Sequence, residues 1–448
     1  MTSSTAAGPL VLTWPASPST ATRLRLGSLA LALAAMAATG VSATGVSPVS
    51  GPAAGAEVAG APGDPGTPSG RGWIAPTVGG AALAVGAAVA GGSAWQVPAS
   101  LFGAVGDGVH DDTAGLQRAL DTLPAGSTLQ LRDGGTYLHS AILTVGTRDL
   151  SIEGTGATLV ATREEASALH VAAPGVTVTG LTLTTPTTTK RWDGFEQTKV
   201  WISADDAVLR DVHVNGSAAA GIGINDGAGG FLLDHVTVTD SRADGIHITG
   251  RAHDGRVVSP VTTGTGDDGV AVVSYMKDGG PCERVTVESP TVNGTTWGRG
   301  VSVVGGNDIT YTDVAVHDTD AAGVYVGSEG DPYFTYASVG VLVDGGTVTG
   351  ANTNAEKDHG AVLVYAGSSG TTTSDVTVRG LTISGTRTSS PWDAGVLADP
   401  GAQLERIDLS DLAISAGAKE PFWTNEPAQV RTSGLTDDDA AVPDQSGW

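Results

Sequence analysis

The sequence predicts an all-β solenoid, on three grounds. Short aliphatic strands recur behind a glycine, at Gly221, Gly245, Gly269, Gly300, Gly323, Gly360 and Gly395, with spacings of 24, 24, 31, 23, 37 and 35 residues. The strands that follow are built alike: Ile222-Gly223-Ile224, Ile246-His247-Ile248, Val270-Ala271-Val272, Val301-Ser302-Val303, Val324-Tyr325-Val326, Val362-Leu363-Val364 and Val396-Leu397. Other strands fall between them, such as Val176-Thr177-Val178, Val236-Thr237-Val238, Val285-Thr286-Val287 and Val376-Thr377-Val378. Alternating β-branched residues bounded by Gly, Asn and Asp mark strands, and helical periodicity is nearly absent beyond residue 125. A base period near 24 with longer excursions predicts stacked coils that share one aliphatic core, with loops swelling on particular coils. Residues 126 to 415 suffice for roughly ten to twelve coils, each rising ~4.8 Å.

From the N-terminus, Arg23 and Arg25 precede an apolar run from Leu26 to Ala38, and Val41-Ser42-Ala43 suits cleavage. Residues 1–43 therefore read as an export signal, too short in its apolar part for a stable span. A secreted, extracellular protein is expected. The Pro/Gly/Ala-rich stretch 44–95 has the composition of a linker. The solenoid is placed at 96–420, and 421–448 is read as a tail whose Thr436-Asp437-Asp438-Asp439 is solvated coil. The net charge of −24 argues against nucleic acid, which needs a basic footprint, and tilts against a polyanionic glycan. Cys282 is the single cysteine and is expected as a small buried filler. No Cys or His spacing suggests zinc, so no metal and no cofactor is expected.

The segment Ala114-Gly115-Leu116-Gln117-Arg118-Ala119-Leu120 does show helical spacing, with Leu116, Ala119, Leu120 and Leu123 on one face. Asp111 or Asp112 is placed as its N-cap. A helix here would plug the open end of the solenoid and cover its strand edges. The whole stretch Phe102 to Ala119 resembles the opening motif of the pectate-lyase-like right-handed parallel β-helix superfamily. That resemblance implies a right-handed parallel β-helix with an N-terminal capping helix, over roughly residues 97 to 415. It is poor for function, because hydrolases and lyases share the motif.

Function is carried by a departure confined to neighbouring coils. Just before each anchor glycine stand Ala220, Asp244, Asp268, Arg299 and Ala322, and Asp267 precedes Asp268. Like positions of a parallel solenoid stack one rung apart, so Asp244 and Asp268 should superpose with Asp267 beside them. Three close carboxylates repel and titrate together, so one can keep its proton near neutral pH. Glycoside hydrolysis needs that pairing of an acid with an ionised carboxylate. His247 and Tyr325 share the second strand position, which alternation turns toward the aspartate face. The loops Ser274 to Glu283 and Gly327 to Gly340 follow these coils and carry Tyr275, Tyr333, Phe334 and Tyr336, while Trp297 lies two residues before Arg299. His359 is placed in the aspartate column two coils beyond Arg299.

Ala243-Asp244-Gly245 followed by Gly266-Asp267-Asp268-Gly269 resembles the Asn-Thr-Asp-Gly and Gly-Asp-Asp motifs of the polygalacturonase family. Carried over by position, Asp267 would be the general acid, with Asp244 and Asp268 holding the attacking water of an inverting hydrolase. Arg299 stands where that family has a histidine, and its following Arg-Ile-Lys strand is here Tyr325-Val326-Gly327. With those cations missing, the expected substrate is a neutral polysaccharide or oligosaccharide, contacted by Arg299, His247, Tyr325 and Trp297. The same triplet is similar to that of the α-1,3-glucanase and mycodextranase family. A monomer without a stable membrane span is expected. Two other readings stay open: a lyase of the same fold, with calcium on the aspartates and Arg299 as base, and a non-catalytic glycan-binding protein.

Overall fold

The computed structural model describes residues 95–448. The expected export signal, and the expected linker up to residue 94, lie outside them. Coils of three short strands succeed one another, as in Ile222–Ile224, Leu232–Asp234 and Thr237–Ser241, then Ile246–Ile248, Arg256–Val258 and Val261–Thr265. Each strand pairs in parallel with its counterpart one coil on. One sheet gathers 11 such strands, from Leu143–Val145 to Phe422–Thr424. The fold is the expected right-handed parallel β-helix.

Register is what matters for the site. Ile222 pairs with Ile246, Ile246 with Val270, Val270 with Val301, and Val301 with Val324. The first and third residues of each strand point inward, and Ile222, Ile224, Ile246, Ile248, Val270, Val272, Val301 and Val303 are all buried in one core. The glycine before each strand is required by close approach: a Cβ at Gly245 would stand 2.5 Å from the Gly269 oxygen, and one at Gly300 2.4 Å from that of Gly323. Aspartates serve the corners. Asp149, Asp206, Asp240 and Asp313 take φ between 51 and 58°, the left-handed region that Asp tolerates better than most residues. Part of the negative charge is thus a turn requirement.

The glycine pattern misleads in two later coils. Val324 pairs with Val362, and Val362 with Ala394, so Ala361 rather than Gly360 follows Gly323 in the anchor column. His359 therefore lies one residue outside the aspartate column. Gly360 is a turn residue at φ +68°.

Helix α1 (Thr113–Thr122) buries Gly115, Leu116, Ala119 and Leu120 against the first coils. Asp112 occupies its N-cap position, but the carboxylate accepts from Val105 N–H at 2.6 Å and Gly106 N–H at 3.1 Å instead of from the helix. Asp111 accepts the Thr113 N–H at 3.0 Å. At the other end the expected tail is structured. Phe422–Thr424, Val430–Ser433 and Thr436–Asp437 continue the parallel stacks, and Ala440–Ala441 and Gln445–Ser446 fold back antiparallel. Asp438 and Asp439, at φ 44 and 63°, make that turn. Strands this short lack the alternation that would mark them in sequence. Among the described residues no helix is long and apolar enough to cross a membrane.

Candidate active site

Because the coils superpose, Asp244, Asp267 and Asp268 converge, each offering an oxygen within 4.8 Å of the others. The backbone ties the rungs together: Gly245 N–H donates to Asp268 O at 2.8 Å, and Gly269 N–H to Arg299 O at 2.9 Å. Asp244 and Asp268 are buried, while Asp267 keeps a side-chain exposure of 13%.

The three carboxylates are differently held. Asp268 accepts from Arg299 N–H at 2.7 Å, Nε at 3.1 Å and Nη2 at 2.9 Å, and from Ser302 Oγ at 2.6 Å. Asp244 accepts the Asp268 N–H at 3.0 Å and lies 2.5 Å from His247 Nδ1. Asp267 Oδ2 accepts from Arg191 Nη1 at 2.7 Å. Burial and the neighbouring Asp244 push the Asp267 carboxyl up to about 7, against the pull of Arg191. Burial works on Asp244 too, but His247, helped by Arg191 and Arg299, outweighs it and holds Asp244 below its usual value. His247 is raised in return: Asp244 overcomes the burial that disfavours an imidazolium. Environments that push paired acids apart assign an acid and a base.

The second strand position lines the outer face of the site sheet, as expected. Gly223, His247, Ala271, Ser302 and Tyr325 pair in sequence along it. His247 and Ser302 reach the aspartates. Tyr325 does not meet the expected role of substrate contact: it is fully buried, 4.5 Å beneath the Arg299 guanidinium, in an outer apolar cluster with Leu363, Tyr365 and Trp392. Its service is to support Arg299. Trp297 is held by Lys357, whose ammonium sits 4.5 Å over its ring and also reaches its carbonyl and, at 2.7 Å, Asp320. Two residues escaped sequence reading. Glu329 takes the remaining Arg299 contact, Nη1 to Oε1 at 2.9 Å. Arg191 comes from 76 residues away in sequence. No period marks loop residues, so the only available signal was the Lys190-Arg191 pair in a chain poor in cations.

Aromatic residues rim the site. The loops around Tyr275 and Tyr333 are zipped by Met276 N–H to Phe334 O at 2.8 Å and Tyr336 N–H to Ser274 O at 2.9 Å. Tyr275 lies 6.5 Å from the His247 ring, and Tyr333 and Phe334 are exposed. Cys282 is buried, as expected, and burial pushes its thiol up to about 11.

No family model and no curated protein matches the chain by sequence. Solved structures do match. An exopolygalacturonase from Thermotoga maritima superposes with a TM-score of 0.59 at 14% identity, covering 79% of this chain and 94% of its own. The catalytic unit of a GH87 α-1,3-glucanase from Streptomyces thermodiastaticus gives 0.55 at 16%, covering 80% and 73%. The mannuronan C-5 epimerase AlgE6 A-module of Azotobacter vinelandii gives 0.52 at 18%, covering 77% and 99%. The chain shares the right-handed parallel β-helix fold of these structures. At these identities the likeness establishes the fold of this β-helix protein, and its chemistry rests on its own residues.

Proposed function

We propose that this protein is a secreted glycoside hydrolase that cleaves a neutral polysaccharide with inversion. One observation carries the reading: Asp244, Asp267 and Asp268 converge within 4.8 Å in unlike settings, which push Asp267 toward its protonated form and hold Asp244, bonded to His247 and the Asp268 N–H, toward the ionised one. In this reaction Asp267 gives its proton to the glycosidic oxygen as the C–O bond breaks. Water adds to the anomeric carbon and passes its proton to Asp244, with Asp268 fixing the position of that site.

The nearest oxygens lie closer than the ~6.5–9.5 Å between the carboxyls of a typical inverting pair. Inversion is inferred instead from how Asp244 and Asp268 are held. Both oxygens of each accept or face a hydrogen-bond partner, which suits holding water better than attacking carbon. A neutral substrate is supported by the state of the cations: Arg299 is taken by Asp268 and Glu329, and Arg191 by Asp267 and Asp193. Solved GH87 α-1,3-glucanase domains lend support, since alanine variants of two adjacent aspartates were crystallised with tetrasaccharides and with nigerose.

The lyase reading requires a neutral base, and Arg299 is unsuited to it. Burial opposes its charge, but Asp268 and Glu329 hold the guanidinium protonated far above its usual range. The test is a screen of α- and β-glucans, galactans, arabinans and polygalacturonate. New saturated reducing ends of inverted anomeric configuration, seen by NMR of fresh product, are expected. Ultraviolet-absorbing unsaturated ends would overturn the proposal, as would cleavage by Asp267→Asn at the parent rate.

A further inference from the structure

The loop between Thr177–Thr184 and Val200–Ile202 reaches over the site and is fastened on three sides. Thr189 N–H donates to Glu164 at 2.7 Å, one coil before; Trp192 N–H donates to Ala218 O at 2.8 Å; and Arg242 donates through Nε and Nη2 to Thr188 at 2.8 and 2.9 Å. The arm that results is built rather than loose. At its tip Arg191 meets Asp267 Oδ2 at 2.7 Å, with Asp193 a looser partner at 3.6 Å.

We propose that Arg191 is a positioning residue for the acid Asp267, fixing which carboxyl oxygen carries the proton and limiting how tightly that proton is held. This rests on the reading of Asp267 as the acid. Since Oδ2 accepts the guanidinium N–H, the transferable proton is left to Oδ1. The charges around Asp267 support the second half. Facing it are Asp244, Asp268, His247 and Arg299 from the site sheet, Arg191 from the arm, and Tyr275 and Tyr333 from the rim, with Glu329 behind Arg299. With His247 protonated and Asp267 neutral, the cations Arg191, Arg299 and His247 stand among the anions Asp244, Asp268, Glu329 and, on the far side of Arg191, Asp193. Removing Arg191 takes away the cation that touches Asp267 and leaves the anions in excess, so the acid would release its proton only at higher pH.

The experiment needs no substrate. Carboxyl carbons are followed by NMR through a pH titration of the full chain labelled with 13C-aspartate, and the Asp267 signal is assigned by its loss in Asp267→Asn. Arg191→Met is expected to raise the Asp267 midpoint by about 1 unit or more, and Arg191→Lys to return it toward the parent value. An Asp267 midpoint unmoved in Arg191→Met would overturn the proposal, as would a Lys variant no closer to the parent than the Met variant. These results are independent of whether any glycan is cleaved. Once a substrate is in hand, the alkaline limb of activity should move up in Arg191→Met, because the acid works protonated. Failure of the hydrolase reading would show separately, as cleavage indifferent to Asp267→Asn.

Discussion

Arg299 stands one coil above Asp268 and donates three hydrogen bonds to it, from its own backbone and from two guanidinium nitrogens. The pair is set by register alone, since Val270 lies opposite Val301. Its consequence is asymmetry: Asp268 is tied down, and Asp267 and Asp244 are left to divide the proton chemistry.

Replacing Asp267 by Asn should lower kcat by about 10²–10⁴-fold, the usual contribution of a positioned general acid. Circular dichroism should stay that of the parent, because the amide fills the same space. Steady-state kinetics on the cleaved glycan checks this.

Activity should fall as pH rises through about 7, where Asp267 loses its proton, and should persist well into acid because Asp244 is held below its usual value. A pH–rate profile with the Asp244 limb above the Asp267 limb would contradict the assignment.

Stability should follow the same group, and in the same direction as activity. The Asp267 carboxyl is raised on folding from 3.8 to about 7, so its contribution is fully present below the unfolded value and lost as pH rises through the folded one. Asp267→Asn removes that loss. At pH 8 the variant should be more stable than the parent by about 1–3 kcal/mol, and near pH 3 by almost nothing. Urea denaturation at the two pH values measures the difference.

Arg299→Met should destabilise by about 3–5 kcal/mol, because Asp268 and Glu329 would be left buried without their cation. Adding Asp268→Asn should recover part of the loss. A single variant as stable as the parent would show that the network contributes nothing.

Cys282 should resist thiol reagents in the folded protein and react fully in denaturant, since its side chain is buried and its thiol is pushed up to about 11. Absorbance of the released chromophore reports the count.

Much of this was legible in the residues. Ile246 and Ile248, repeated as Val270 and Val272, announce a strand with one face in a core, and the interval of 24 places Asp244 over Asp268. Where loops lengthen, the period no longer fixes the anchor: Gly360 imitates an anchor glycine, but Ala361 holds the place. Alternation turns Tyr325 to the site face, yet whether that face is open depends on what covers it, and an apolar cluster does.

The chain's local order, taken alone, determined the solenoid, its core residues and the convergence of three aspartates, because strand alternation and coil period are short-range properties written residue by residue. Only the tertiary structure decided which carboxyl keeps its proton. Arg191 and Glu329 reach the cluster from loops distant in sequence, and a carboxyl's proton affinity depends on the charges and burial that surround it in space.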